Sequence, residues 1–369
     1  MADRAPSVPS TSAPLQAATA PPPRVSKSTS APSRIPPASS LARFGDKIYG
    51  AVTFLASLSI FIIILWLLYQ LTGASLPAIH KFGWSFITKS DWNEETNSFH
   101  ALPFIFGTLY SSLIALVLSV PVSIGAAIFL SELAPRWIRT PATFLIELLA
   151  AIPSVVYGLW GIFILIPFLK LYVFQPVIQP HVPIYHRHLP ATHIPLAQVK
   201  GIGFLFTGQS AGYSMLAAGM ILAIMVTPFI TAVTRDILRA IPRSQREGSY
   251  ALGATQWETI KQVVVPYAKS GIIGAVILGL GRALGETMAV TMVIGNQSPS
   301  TPSGVSLSLF DSGYTMSSVL ANKFNEAIPG LNLAALVEIA LVLFGVTVFV
   351  NIVARLLVFY TAKDVHGGK

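Results

Sequence analysis

Cysteine is absent from this sequence. That excludes disulfides, thiolate metal sites and a cysteine nucleophile. Charge is scarce as well. Only 11% of the residues are Asp, Glu, Lys or Arg, against 53% hydrophobic, whereas a soluble domain carries about 25% charged residues. With a mean hydropathy of +0.66, the chain reads as a polytopic membrane protein with no sizeable soluble domain. No Gly-x-x-x-x-Gly-Lys-[Ser/Thr] occurs, so the chain is not expected to bind or hydrolyse ATP itself. No Ser–His–Asp or metal constellation stands out. The first 40 residues lack aromatics and lack a continuous apolar stretch, which argues against a secretory signal peptide. They hold nine prolines, nine serines and eight alanines. Such a segment buries too little apolar surface to offset its ordering entropy, and a disordered tail is expected over residues 1–45.

What the chain does have is apolar runs. Six are long enough to cross a bilayer core of about 30 Å: Ile48 to Leu71, Pro103 to Leu130, Pro141 to Phe168, Tyr213 to Val233, Tyr267 to Gly295 and Leu333 to Tyr360. The expected class is all-α, with a transmembrane domain over residues 46–362 and a short tail over 363–369. Six spans put both termini on one side. With the N-terminus inside, seventeen lysines and arginines fall on the inner side and six on the outer. Without the long tail the bias is still eleven to six, so both termini are expected to be cytoplasmic. This bias, rather than nucleic-acid binding, explains the net charge of +9.

The stretch Gly279-Leu-Gly-Arg-Ala-Leu-Gly-Glu286 lies within the fifth run. Arg282 falls near its centre, where an arginine costs about 2.5–3.5 kcal/mol to insert. Glu286 follows at i+4, which predicts two opposite charges on one helix face. Charge held in lipid marks a substrate path by default. The plainer alternative is a buried ion pair that only fixes packing. Gly281 and Gly285 have the small-xxx-small spacing that lets helix backbones approach. The Gly-x-Gly spacing does not fit a nucleotide fingerprint, and no strand precedes it. Two further acids lie inside spans. Glu147 in the third has three open roles: a partner for Arg282, a lining of the path, or a contact with another subunit. Glu338 lies near the outer end of the sixth, where a solvated position is expected. His181, His186, His188 and His193 share one outer loop, but prolines separate them, and a solvated loop is favoured over a metal site.

The inner loop over residues 235–266 is patterned. Ser244-Gln-Arg-Glu247 and Thr255-Gln-Trp-Glu258 each read as a capping box, with Gly253 between them where a helix would stop and the chain turn. This predicts a helix, a sharp turn and a second helix, with Pro266 opening the fifth span.

Glu247-Gly-Ser-Tyr-Ala-Leu-Gly253, nine residues, then Val263-Val-Val-Pro266 resembles the EAA loop of ABC importer permeases. Gly248 and Ser249 stand where that pattern has alanines. Gly279 to Val290 and Ala151 to Gly161 are similar to stretches of phosphate-specific permeases of the PstC type. The likeness covers roughly residues 45–362. It implies a type I ABC importer permease fold and a subunit that moves phosphate inward. The implied partners are a PstA-like permease, two PstB-like ATPase subunits binding ATP and Mg, and a PstS-like binding protein outside. No cofactor is implied for this chain. By the same resemblance Glu247, Ala251, Leu252, Gly253 and Pro266 belong to the ATPase-coupling element. Arg282, with Glu286 and Glu147, is the expected substrate path. The physics of Arg282 alone leaves sulfate or molybdate open. A proton-coupled secondary transporter and a regulatory scaffold are the readings from other classes.

Overall fold

A computed structural model describes residues 40–174, 203–206, 212–297 and 305–366, with side chains from residue 47 to residue 360. The histidine loop and residues 1–39 lie outside the described residues. The chain divides into two units, residues 1–62 and 63–369.

In the first unit the described residues belong to α1, Ser40–Phe82, whose N-terminal part it contains. Its side chains from Lys47 to Ile62 are all exposed, and they are mostly apolar, as a lipid-facing surface requires.

In the second unit α1 continues past Leu71, where the sequence suggested an end, to Phe82. The added turns are built from helix-compatible residues, and Ser75 and Ala78 are buried. A short helix α2, Ser85–Thr88, and a two-stranded hairpin, β1 Trp92–Asn93 with β2 Ser98–Phe99, follow. Phe82, Trp92, Phe99 and Phe104 pack edge-on here, and the Phe86 ring lies tilted against Phe82. The segment between the first two spans is thus a compact aromatic cap.

Among the described residues, five more membrane-length helices follow α1. They are α3 Leu102–Leu133, α5 Ser154–Phe174, α6 Met215–Ala240, α8 Gln256–Leu284 and α11 Leu331–His366. Shorter helices lie between them: α4 Arg136–Ala151, α7 Arg243–Ala251, α9 Met288–Val293 and α10 Met316–Lys323. The helix of α11 continues to His366, into the stretch expected to be tail.

The third span differs from the sequence expectation. Pro141 to Phe168 is not one helix. Ile152 is extended ahead of Pro153, because the proline ring disfavours helical backbone at the residue before it. The helix stops at Ala151, and the spanning segment is Ser154–Phe174. The fifth span differs too. The second loop helix and the span are one helix, Gln256–Leu284, so Pro266 lies inside it rather than at its start. A five-residue π-helical turn, Ile260–Val264, precedes this proline. A second one, Gly161–Leu165, precedes Pro167 in α5. A proline lacks an N–H and clashes with the carbonyl four residues back. The wider turn makes room for it.

The core is the packing of α6 against α3 and α8. Gly219 admits Ile114: a Cβ there would lie 2.4 Å from its Cγ2. Ser123 Oγ donates to the Thr227 carbonyl at 3.1 Å, joining α3 to α6 where lipid would offer nothing. Close approach of α8 to α6 is made at Gly271 against Ile237 and at Gly279 against Ile230, 2.6 Å each from a virtual Cβ. The Gly281/Gly285 spacing does not serve this purpose. Among the described residues Gly281 meets only Asn351 Oδ1, at 3.9 Å, and Gly285 meets no other helix.

Candidate functional site

Helix α8 ends at Leu284, between Arg282 and Glu286. The two therefore do not share a helix face, and among the described residues they form no ion pair. The run of Gly281, Gly285 and the polar Glu286 favours the stop. Glu286 Oε1 instead accepts from the Ala289 N–H at 3.1 Å, satisfying the first turn of α9. The Glu286 carbonyl accepts from Ser317 Oγ of α10 at 2.9 Å. The break at Gly285–Thr287 is thus held from both sides.

Arg282 lies in the last turn of α8, where a cation interacts favourably with the helix dipole. It is exposed, and its guanidinium sits over the Phe229 ring of α6 at 5.6 Å, within cation–π range. No carboxylate among the described residues lies within ion-pair distance of it. An apolar cleft lined by Val120, Ile124, Ile272, Val276 and Phe349 contains neither Arg282 nor Glu286. Irregular backbone at membrane depth is tolerated where it lines a cavity or is buried in protein, and this break carries one un-neutralised cation.

Glu147 does not join Arg282. It pairs with Arg235 near the end of α6, Nη2 to Oε1 3.1 Å. Arg235 also holds Asp236 at 2.8 Å. Its side chain is 6% exposed against 56% for Glu147, and its Nη1 has no partner among the described residues. Glu338 is buried, and its Oε2 lacks a hydrogen bond among the described residues. The solvated position expected for it is not observed: the side chain is only 6% exposed.

The inner loop forms the expected hairpin, with one difference. Gly253 has φ +84, the left-handed conformation that a sharp turn after α7 requires. Thr255 and Glu258 form a reciprocal capping box. Ser244 and Glu247 do not, because α7 starts two residues earlier than that box requires, directly after Pro242, and has no side-chain cap. No residue of α7 is buried. Leu252 at the tip is 91% exposed, and Tyr250, Ala251 and Trp257 are exposed around it.

Residues 119–362 match the family model described as "binding-protein-dependent transport system inner membrane component". The chain belongs to that family. As a member it is a multi-pass inner-membrane transport subunit of the ABC permease type, and the family region takes in the α7 hairpin and the break in span five. A phosphate transport system permease protein PstC of Pasteurella multocida is 42% identical over 318 residues, covering 86% of this chain and 93% of the relative. One from Mesorhizobium japonicum is 42% identical over 310 residues, covering 84% and 89%. A solved methionine ABC transporter, MetNI, in an inward-facing conformation is similar at a TM-score of 0.45 with 16% identity, over 69% of this chain and 91% of that one.

Three functional candidates were missed by sequence reasoning. Arg235 and Arg246 were counted only as inner-side charge, yet each is fixed by acids distant in sequence. Phe229 resembled any other apolar residue of its span. Pairings across about 90 to 110 residues leave no periodic trace, so no signal marked these contacts.

Proposed function

We propose that this chain is the permease subunit of an ATP-driven importer that moves inorganic phosphate into the cytoplasm. The observation that carries the reading is 42% identity, over 93% of the relative's length, to a phosphate transport system permease. The chemistry at the break in span five supports it. The Arg282 fork presents several N–H donors in the geometry of phosphate oxygens, and no carboxylate of the described chain competes for it. Glu286 keeps Oε1 on the Ala289 N–H and offers Oε2 to a protonated phosphate oxygen. Sulfate carries no such proton at neutral pH. Binding at such a step is weak, so that release stays fast.

The partners follow from the same reading. A PstA-like permease completes the path, and a PstS-like protein delivers phosphate from outside. Two PstB-like subunits bind ATP and Mg; this chain binds neither. Glu247, Ala251, Leu252 and Gly253 seat on an ATPase subunit, and Pro266 marks the helix that leads from the hairpin into the membrane. Exposure of Leu252 and Trp257 supports this docking, since apolar tips left in water mark an interaction surface. Both termini are cytoplasmic. When ATP closes the ATPase pair, the hairpin follows, and the permease halves rock between outward and inward access.

Uptake of labelled phosphate at low concentration tests this in cells with the intact chain, with the chain deleted and with Gly253→Pro. Loss in both altered strains, with no competition from excess sulfate, is the expected result. Unchanged uptake on deletion refutes the reading, and competition by sulfate replaces phosphate with a broader oxyanion class.

A further inference from the structure

The hairpin is attached to the membrane helices at one strongly built point. Arg246 lies in α7, whose residues are otherwise exposed or half-exposed. Its side chain turns back and meets Glu132 in the π-helical turn Phe129–Leu133 that closes α3. The contact is bidentate: Nη2 to Oε1 2.8 Å and Nε to Oε2 3.2 Å. The same guanidinium caps the end of α6, donating from Nη1 to the Ile241 carbonyl and from Nη2 to the Leu238 carbonyl, both at 2.8 Å. Helix ends leave such carbonyls without intrahelical partners. Gln256 Nε2, from the first residue of α8, donates to the Glu132 carbonyl at 2.9 Å. Ser249 and Thr259 hydroxyls lie 3.0 Å apart and tie the two arms of the hairpin together.

This pair is unlike the other ion pairs of the described residues. Arg246 and Glu132 are 17% and 10% exposed, so both partners are shielded, while each other pair has one partner about half exposed or more. Shielded pairs are weakly screened and lock geometry, and losing one partner strands the other. Only a planar fork can serve two carboxylate oxygens and two carbonyls together; a lysine cannot.

We propose that Arg246 and Glu132 are the joint through which the α7 hairpin drives α3 and α6. Displacement of the hairpin reaches both helices through one guanidinium, rather than through the chain connections alone. They are positioning residues and touch no substrate. The proposal rests on the transport reading above.

The test uses the complete transporter in membrane vesicles, reading phosphate uptake and ATP hydrolysis on the same preparation. Arg246→Gln is expected to accumulate normally and hydrolyse ATP, while uptake falls about tenfold or more, the scale of an ordinary coupling energy. Arg246→Lys should not rescue it. Because the chain has no cysteine, Glu132→Cys with Arg246→Cys gives a clean second arm. A short, reducible bis-methanethiosulfonate bridge should restore uptake, and reductant should remove it again; a role in folding alone predicts no such reversal. If Arg246→Gln fails to accumulate, Glu132→Gln carries the test. It keeps an oxygen acceptor and should still lower uptake per ATP hydrolysed. Uptake per ATP equal to the unaltered chain in Arg246→Gln or Glu132→Gln overturns the joint. Absence of phosphate uptake by the unaltered transporter would instead overturn the substrate reading.

Discussion

Arg282 and Arg246 are the same residue in opposite circumstances. Arg246 spends its fork on a shielded carboxylate and two helix-end carbonyls. Arg282, at the end of α8, has an aromatic face beneath it and no carboxylate within reach among the described residues. A guanidinium that makes four hydrogen bonds to protein holds structure in place. One left open within a membrane helix is costly to keep, and the cost is accounted for if an anion visits. On the proposed reading, the contrast separates the part of the chain that would transmit movement from the part that would meet cargo.

The sharpest way to break the contrast is Arg282→Gln. Transport should fall by two orders of magnitude or more, about the loss expected for a charge-assisted contact of roughly 3 kcal/mol. Membrane abundance and thermal stability should stay as they are. A variant that unfolds would place Arg282 with Arg246 as a structural residue. Gly253→Pro should come next, abolishing coupled uptake, since a φ of +84 is closed to proline; limited proteolysis of the hairpin would register the altered turn. Gly279→Val should destabilise the α6–α8 contact by about 1–3 kcal/mol, as overpacking does, because Ile230 lies 2.6 Å from the new Cβ. Gly281→Ala should cost roughly 1 kcal/mol or less, and thermal melts of the two variants in detergent would rank them. The smallest effect is expected from Glu147→Gln. With Glu147 about half exposed, the pair contributes about 1 kcal/mol or less, and the neutral amide still accepts a bond from Arg235. A shift in melting temperature larger than that of Gly279→Val would mean that the pair bears on the fold.

Much of this architecture was legible in the sequence because its cause is local. Bilayer thickness fixes the length of an apolar run, so α3, α6 and α11 lie close to where the runs placed them. Gly253 and the Thr255–Glu258 box announced the hairpin turn for the same reason. Span three was misplaced because hydropathy does not register a chain break: Ile152 and Pro153 are as apolar as their neighbours. Span five was misplaced in the same way at Gly285, and with it went the i+4 pairing of Arg282 with Glu286. The partner of Glu147 was out of reach. Arg235 is 88 residues away, and only the packing of α4 on α6 brings them together.

Helix α8, continuous from Gln256 to Leu284 through the π-helical turn before Pro266, makes the hairpin base and the Arg282 region two ends of one lever. Arg282 stands roughly 39 Å from the first residue at 1.5 Å per residue. A tilt of about 10° pivoting at the hairpin would swing the guanidinium by roughly 7 Å, enough to carry it out of hydrogen-bond range of an oxyanion. If Arg282 holds cargo as proposed, release would need no chemical change at the arginine, only a small rotation of the helix that bears it.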